Sequence, residues 1–294
     1  MRIFGKRACS GIIVCATIAM VVAQSASAAD LGSGPVERQE RPLLASPWTV
    51  SAMPYLWLPW LQGDVTVKGV TGSLYVNPYQ VLEHLERMPW MSYIEARNGP
   101  LVLYNDIFYA KLGVNISHAR TFGSATTEAT LGADFSEGVI EAGAAYQIAK
   151  WDRYTAIDLL AGARYWQQTM NIDLALTGTL DTTGLVVSGG HAFARSGVVD
   201  WVDPLIGFRI RQLLAPGQEL MFRADVGGFD VGSHFSWNVM AAYNFNIWVS
   251  NGVTYTGMLG YRALSVDYEQ GSGRTTYQYD VVQHGPVTAI AVKF

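Results

Sequence analysis

Residues 235–247 read FSWNVMAAYNFNI, and this stretch decides the fold. Apolar residues occupy every second position from Phe235 to Ile247, and the positions between them carry mainly Ser, Asn and Ala. Strict alternation is the pattern of a β-strand whose two faces meet different surroundings. A tilted strand of about 10 residues is long enough to cross a bilayer. The stretch therefore predicts a strand with one face in lipid and the other in a polar lumen.

Charged residues join the polar face in other stretches with the same alternation. Residues 140–148, 157–165, 206–210 and 220–226 place apolar side chains at alternate positions, with acids and arginines between them. A charge facing lipid near the bilayer midplane costs roughly 2–4 kcal/mol, so these charges are predicted to face the lumen. The predicted lumen network consists of Glu95, Arg97, Asp106, Glu137, Glu141, Asp158, Arg164, Asp203, Arg209, Arg211, Arg223, Asp225 and Arg262.

Two interpretations of these lumen charges remain open. Both signs are present, and an unpaired buried charge is costly, which favours a packed polar core in which the groups pair with one another. The narrow interior of a barrel of about ten strands also favours this interpretation. The alternative is a charged constriction through which small solutes pass.

The predicted fold class is all-β, an antiparallel transmembrane β-barrel of about ten strands. The expected strands are 48–60, 91–98, 101–112, 133–149, 153–172, 199–213, 218–228, 234–248, 252–268 and 281–294. Eight or twelve strands are the alternatives, and twelve would follow if residues 65–75 form a hairpin. Tight turns alternate with longer connections at 61–89, 113–132, 173–198, 229–233 and 269–280, which predicts short periplasmic turns and long extracellular loops.

Two local features refine this topology. Residues 79–87, after Asn77-Pro78, predict a short amphipathic helix in the first extracellular loop, able to cover or narrow the barrel mouth. The tryptophans suggest two aromatic girdles, as expected at the two membrane surfaces. The periplasmic girdle would contain Trp48, Trp151 and Trp248, and the outer one Trp57, Trp60, Trp90, Trp166, Trp201 and Trp237.

The N-terminal segment has the layout of a secretory signal peptide. Three basic residues precede an apolar run over 11–23, and Ala26-Ser27-Ala28 offers a cleavage site, so residues 1–28 are predicted to be removed. Residues 29–47, rich in Gly, Pro and charge, are then a flexible periplasmic leader, and 48–294 is the barrel. Both cysteines, Cys9 and Cys15, would be lost, and the formal net charge would move from -4 to about -7. An acidic chain of this kind gives no reason to expect nucleic-acid binding.

The C-terminal strand ends on an aromatic residue. Thr288, Ile290, Val292 and Phe294 share one face of the alternation, and Phe294 is the last residue. This resembles the terminal signal by which bacterial outer-membrane proteins are recognised for assembly. The predicted partners are therefore the barrel-assembly machinery, through this strand, and the lipid and lipopolysaccharide of the outer membrane; the oligomeric state stays open.

Several stretches are similar to a family of uncharacterised outer-membrane barrel proteins of alphaproteobacteria. They are PYLWLPWLQGDVTVKG (54–69), ARNGPLVLYNDIFYAKL (96–112), AGARYW (161–166), DPLIGFRIR (203–211), ADVGGFDVGSHFSWN (224–238) and LGYRALSVDY (259–268). Together they span nearly the whole predicted barrel. The resemblance implies an exported barrel in a Gram-negative outer membrane, and it implies no activity and no functional residues.

The sequence offers little support for chemistry. None of the five histidines (His84, His118, His191, His234 and His284) lies in a His-x-x-x-His or Glu-x-x-His arrangement, so neither a metal site nor a cofactor is predicted. The nearest candidate for catalysis is His234 with Ser233 or Ser236 as nucleophile and Asp230 as the orienting acid. Tight glycine loops produce the same local sequence, and no catalytic residue is assigned.

The predicted function is a non-enzymatic barrel with a structural, surface-interaction or limited small-solute, porin-like role. The alternative is a hydrolase that modifies lipid or lipopolysaccharide at a site near the extracellular rim.

Overall fold

A computed structural model describes residues 48–67, 69–122, 125–151, 154–182 and 185–294. Within these ranges, the description does not extend to the side chains of residue 70 or of residues 114–133 and 172–196. The predicted signal peptide (1–28, with Cys9 and Cys15) and the leader (29–47) lie outside the described residues, as do the side chains of His118 and His191.

The described chain is almost entirely antiparallel β-sheet. Its strands are β1 (Thr49–Trp57), β2 (Trp60–Val67), β3 (Val70–Val76), β4 (Trp90–Asn98), β5 (Leu101–Phe122), β6 (Ala125–Trp151), β7 (Thr155–Thr182), β8 (Leu185–Ala215), β9 (Gln218–Gly228), β10 (Phe235–Ser250), β11 (Val253–Gln270) and β12 (Tyr277–Lys293). The only helices described are α1 (Pro78–Glu83) and a 3₁₀ turn at Gly273–Thr275.

Ten of these strands close into a barrel. The ring runs β1-β4-β5-β6-β7-β8-β9-β10-β11-β12, and β12 returns to β1 through pairs from Trp57↔Val287 to Ser51↔Lys293. Every strand of this ring has a paired neighbour on both sides, which is the arrangement of a sheet that spans a membrane. The predicted fold class and the count of ten are confirmed, and the alternative of eight strands is wrong.

The remaining two strands form the hairpin anticipated around residues 65–75. β2 continues the path of β1 after a break at Leu58-Pro59 and pairs with β12 from Trp60↔His284 to Val67↔Tyr277. Among the described strands, β3 pairs with β2 alone. Twelve strands therefore describe the whole sheet, and ten describe the barrel.

The predicted short helix is present as α1. Asn77 caps it, because its side chain accepts from the Gln80 N–H while the Gln80 side chain accepts from the Asn77 N–H. Pro78 at the first turn suits a helix start, where its missing N–H would have no partner in any case.

The outer end of the barrel differs from the prediction. Segments 113–132 and 173–198, expected as long loops, are strands: β5 and β6 pair out to Phe122↔Ala125, and β7 and β8 pair out to Thr182↔Leu185. β4 pairs with β5 only as far as Tyr109, and β9 pairs with β8 only from Leu205 to Ala215, so β5–β8 project beyond the ring as a four-stranded sheet. Threonine favours strands, so these Thr-rich segments suit extended pairing.

The barrel wall is apolar outside and polar inside, as the alternation requires. Leu159, Phe222 and Tyr261 are exposed on the outer face, whereas their charged neighbours Asp158, Arg223 and Arg262 are buried. None of the helices described is long and apolar enough to cross a membrane.

The tryptophans follow the predicted girdles only in part. Trp48, Trp151 and Trp248 are exposed at the inner end of the barrel, where both ends of the described chain lie, and Trp90 is exposed towards the outer end. The assignment of Trp57, Trp166 and Trp201 to the outer girdle is wrong, because all three are buried inside the barrel.

Candidate functional site

Eleven of the thirteen predicted lumen residues form ion pairs inside the ring, in three groups. We refer to this set as the central network: Glu95, Arg97, Asp106, Glu141, Asp158, Arg164, Arg209, Arg211, Arg223, Asp225 and Arg262. It contains five carboxylates and six guanidinium groups, so the charges nearly cancel.

The centre of the network is built around Arg164. This side chain is 0% exposed, and its Nη2 lies 2.7 Å from Glu141 Oε2 and 2.7 Å from Asp225 Oδ1. Arg223 joins the same two acids from the other side, donating to Glu141 and, through Nε at 3.1 Å, to Asp225. Two arginines thus alternate with two carboxylates, so each charge is compensated by charge-assisted hydrogen bonds.

A second group of pairs lies towards the inner end. Asp158, fully buried, accepts from Arg209 Nε at 3.0 Å and from Arg211 Nη2 at 3.2 Å. Arg209 also reaches Glu95, with an Nη1–Oε2 distance of 2.6 Å, and Arg97 lies 3.4 Å from the same acid.

The third group joins β11 to β5. Arg262 donates through Nη1 to Asp106 Oδ2 at 2.9 Å and through Nε to Asn238 Oδ1 at 3.0 Å. Asn238 in turn donates to Asp225 at 2.8 Å, and the Tyr55 hydroxyl donates to Asp106 at 2.7 Å. The third group is therefore continuous with the centre around Arg164.

Several of these bonds cross the lumen instead of following the wall. In a ring of ten strands, opposite strands are five positions apart. Arg209 on β8 and Glu95 on β4 are four positions apart, as are Arg262 on β11 and Asp106 on β5. The interior at this level is thus occupied by side chains that meet from nearly opposite walls.

An aromatic layer lies next to the network on the outer side. The rings of Trp166 and Trp201 stack with centroids 5.5 Å apart, and Trp201 stacks on Tyr268 at 3.9 Å. The Tyr277 hydroxyl donates to Gln168 Oε1 at 2.5 Å, between strands that stand opposite each other in the ring. A second level of the lumen is thus filled.

Two predicted lumen residues stand apart from the central network. Asp203 is buried, but it accepts from the backbone N–H of Ser233 at 2.7 Å and from its hydroxyl at 2.9 Å, and so fixes the β9–β10 loop. Glu137 is buried against Gln283, whose Nε2 lies 2.8 Å and 2.9 Å from its two carboxylate oxygens. Within the described part of the chain, no lysine or arginine lies within salt-bridge distance of Glu137.

The uncharged members of the site were missed by the sequence analysis. Tyr55, Asn238 and Gln283 were not singled out, because the search followed charge alone. The signal was available, since Asn238 stands on the polar face of the alternating stretch 235–247.

The candidate catalytic cluster, which the sequence analysis did not assign as a site, is only partly assembled. His234 Nδ1 lies 2.7 Å from Asp230 Oδ1 at the exposed loop, and this hydrogen bond raises the pKa of His234 above its ordinary value. The Ser233 hydroxyl is engaged with Asp203, and the buried Ser236 hydroxyl has no hydrogen-bond partner among the described residues. No serine nucleophile is therefore paired with His234 in the described structure.

The C-terminal residue completes the wall next to β1. The Phe294 N–H donates to the Val50 carbonyl at 2.9 Å, and its side chain is exposed. Across the residues that the structure describes, no group of three or more His, Cys, Asp or Glu side chains is placed to hold a metal ion.

The class defined by the closed ring, the apolar outer face and the polar lumen is the outer-membrane β-barrel. No family model and no curated protein matches the sequence. Solved barrels of similar form include the outer membrane protease OmpT of Escherichia coli, with 8% identity over 85% of this chain and 97% of that one and a TM-score of 0.43. Others are Ail, the attachment invasion locus protein of Yersinia pestis (10% identity, 84% and 98% coverage, TM-score 0.30), and a FadL homologue of Pseudomonas aeruginosa (7%, 84% and 89%, TM-score 0.25). At such scores the fold rests on the strand pairing, and no function is carried over.

Proposed function

We propose that this chain is a non-enzymatic outer-membrane barrel whose lumen is closed to solutes, with a structural or surface-interaction role. The observation that carries the proposal is the path of hydrogen bonds from Asp106 through Arg262, Asn238 and Asp225 to Arg164. It joins β5, β11, β10, β9 and β7 across the interior. Of the two interpretations of the lumen charges, this geometry favours the packed polar core over the open constriction.

Energetics support a closed state. Each carboxylate in the path is compensated, and breaking one buried pair costs about 3–5 kcal/mol because the remaining charge is left uncompensated. A solute that crossed the lumen would have to separate several pairs at once. The projecting sheet of β5–β8 then offers a surface beyond the ring for contacts with other molecules.

Planar-bilayer conductance tests this proposal. The refolded protein, beginning at residue 29, should give no stable current steps, whereas a variant with Arg164, Arg209, Arg223 and Trp201 replaced by alanine should give steps because both the central network and the aromatic layer are then opened. A heat-modifiable gel shift shows in both cases that the barrel has folded. Stable steps from the unaltered protein would refute closure.

The non-enzymatic assignment is tested separately. Because Ser233 is held by Asp203, replacing His234 by alanine should leave any lipase or deacylase reading at background in both forms. A turnover that disappears with His234→Ala would overturn the assignment and favour a rim hydrolase.

Export, location and assembly complete the proposal. Residues 1–28 would be cleaved, 29–47 would lie in the periplasm, and Phe294 would direct the chain to the barrel-assembly machinery in an outer membrane of lipid and lipopolysaccharide. Mass spectrometry of the protein recovered from the outer-membrane fraction should give an N-terminus at Ala29. The resemblance to alphaproteobacterial barrels is part of this proposal too.

A further inference from the structure

The barrel wall has a seam without backbone pairing between β1 and β4. The two strands pair from Thr49↔Arg97 to Pro54↔Ser92, and no pair follows above this point. The chain from Tyr55 onwards is held from the other side, by β12, through the pair Trp57↔Val287 and the bond from Leu58 N to Pro286 O at 3.1 Å.

Side chains close the seam in place of a hydrogen-bonded ladder. The Trp57 N–H points to Met91, whose Sδ lies 3.2 Å away, and a thioether is a weak acceptor. Pro59 and Pro89, one on each side, have no N–H to leave unpaired in lipid. The seam can therefore part with little loss of backbone hydrogen bonding, unlike the rest of the wall.

The outer surface beside the seam is apolar. Met88 is 90% exposed, Trp90 64% and Leu56 37%. Since β4 starts at Trp90, the seam lies at its outer end, on the side of the outer leaflet.

Directly behind the seam lies an apolar cavity of about 400 Å³. Leu58 and Met91 line it from the seam, Val81 and Leu85 from the helix segment above, and Phe108 from the neighbouring strand β5. Its volume falls within the roughly 300–1,000 Å³ of typical small-molecule sites.

The helix that roofs the cavity is fixed to the barrel. The Gly113 N–H donates to the His84 carbonyl at 2.9 Å, and the Glu86 N–H donates to the Lys111 carbonyl at 3.1 Å. Lys111 Nζ also lies 2.5 Å from Glu86 Oε2. The roof is thus held on the β5 side, while the seam side has no such bonds among the described residues.

The charged residues around the cavity determine the orientation that a bound ligand would take. Arg87, exposed, is the basic residue of the lining, and the acid next to it, Glu86, is already neutralised by Lys111. The acid of the lining, Glu137, is buried and bound by Gln283. An anionic head group would be attracted to Arg87 and repelled by Glu137, with its chain directed inward.

We propose that this cavity binds the aliphatic chain of a long-chain fatty acid that reaches it laterally, from the outer leaflet through the seam, with its carboxylate at Arg87. This goes beyond the closed lumen proposed above and does not depend on it, because the cavity is reached through the wall.

The first test fills the cavity. Ala110 lines it, whereas Ala241 faces outward on β10, so Ala110→Phe and Ala241→Phe are a matched pair. In nanodiscs, binding of a fluorescent polyene fatty acid should weaken tenfold or more in Ala110→Phe and stay within about twofold in Ala241→Phe. Val81→Trp fills the cavity from the helix, outside the barrel wall, and should act like Ala110→Phe even if the latter folds poorly. Equal binding in all forms would mean partition into lipid alone and would overturn the proposal.

The second test concerns the head group. In Arg87→Glu, displacement of the probe by palmitate should weaken about fivefold while displacement by hexadecanol is unchanged; Arg274→Glu, on the exposed 3₁₀ turn, should change neither. Hexadecanol that competes as well as palmitate with the unaltered protein would overturn the fatty-acid assignment. A fatty acid carrying a photoreactive group at its chain end should label Trp57 or Phe108, the buried part of the lining, and labelling spread around the outer face would refute a defined site.

Discussion

Replacement of Arg164 by methionine is the perturbation that most directly examines the central network. Methionine keeps much of the length of the arginine side chain and removes only its charge and its donors. Arg164 is fully buried and bridges Glu141 and Asp225, each at 2.7 Å. Loss of one partner from a buried pair costs about 3–5 kcal/mol. Because Arg223 still donates to both acids, we expect a loss near the lower end, about 3 kcal/mol.

The assay is reversible urea unfolding of the refolded barrel in lipid, followed by tryptophan fluorescence. Arg274→Met provides the control: it removes an exposed arginine, and such surface changes lie within about 0.5 kcal/mol. Glu141→Gln and the double variant complete a cycle, and we expect the double variant to lose less than the sum of the single losses, by about 1.5 kcal/mol or more.

Two results would refute this reasoning. An Arg164→Met barrel as stable as the control would show that the pairs contribute nothing to folding. Strict additivity with Glu141→Gln would show that the two groups do not interact, whatever the distance between them.

Three further predictions concern sites outside the centre. The hydrogen bond to Asp230 raises the pKa of His234. The stability that this bond gives the loop is therefore fully present at a pH below the unfolded-state pKa of His234, and it is lost as the pH rises through the folded-state pKa. Asp230→Asn should lower the folded-state pKa of His234 in an NMR titration, and an unchanged pKa would contradict the assigned bond. Trp201→Ala removes the middle ring of the aromatic stack and should cost about 3–5 kcal/mol in the same urea assay, whereas a loss below 1 kcal/mol would mean that the stack is loosely packed. Deletion of Phe294 should reduce the amount of heat-modifiable protein in the outer membrane, whereas Phe294→Tyr should leave that amount unchanged. Equal amounts of the deletion variant and of Phe294→Tyr in the outer membrane would refute the role of Phe294 as an assembly signal.

The barrel strands were predictable because lipid imposes a rule on the sequence. In 235–247 the buried positions Ser236 and Asn238 are those that the alternation assigned to the lumen. Charged residues were assigned inward for the same physical reason, the cost of a charge in hydrocarbon. The projecting parts of β5–β8 lie beyond the ring, where that rule does not apply, and their Thr-, Ser- and Gly-rich sequences look like loops.

The tryptophan assignment failed although the information was present. Trp166 lies two residues from Arg164 on β7, and Trp201 lies two residues from Asp203 on β8, so each ring shares a strand face with an inward charge (the same parity). The alternation that placed those charges inward therefore placed the two tryptophan rings inward as well. The expectation of aromatic girdles was given more weight than parity. The girdle is a statistical preference, while parity in a paired strand is geometric.

The seam and its cavity could not be predicted from the chain. Pro59 and Pro89 are visible in the sequence. Their positions on the two sides of one seam depend on the register of β1 against β4, which is set by pairs more than thirty residues apart such as Pro54↔Ser92. The seam encloses a lined cavity only because the α1 segment lies over it.

The projecting sheet should be dispensable for the barrel itself. Asn115 on β5 pairs with Gly132 on β6, so residues 116–131 can be replaced by Asn-Gly, which closes a two-residue hairpin in the same register. Residues 172–195 between the paired Asn171 and Ser196 can be replaced in the same way. The first removed row is about 30 Å along β6 from Glu141, at about 3.3 Å per residue, too far to disturb the central network.

We therefore expect the doubly shortened protein to refold with the same heat-modifiable shift and to give no stable current steps in a planar bilayer. Fatty-acid binding should also persist, since the bond from Gly113 to His84 that holds the helix is kept. A shortened barrel that conducts would show that the projecting strands, and not the central network, close the lumen. A shortened chain that fails to refold would show that long-range pairing of β5–β8 is needed to form the ring, and the surface beyond the membrane would then be part of the barrel's folding unit instead of a platform added to it.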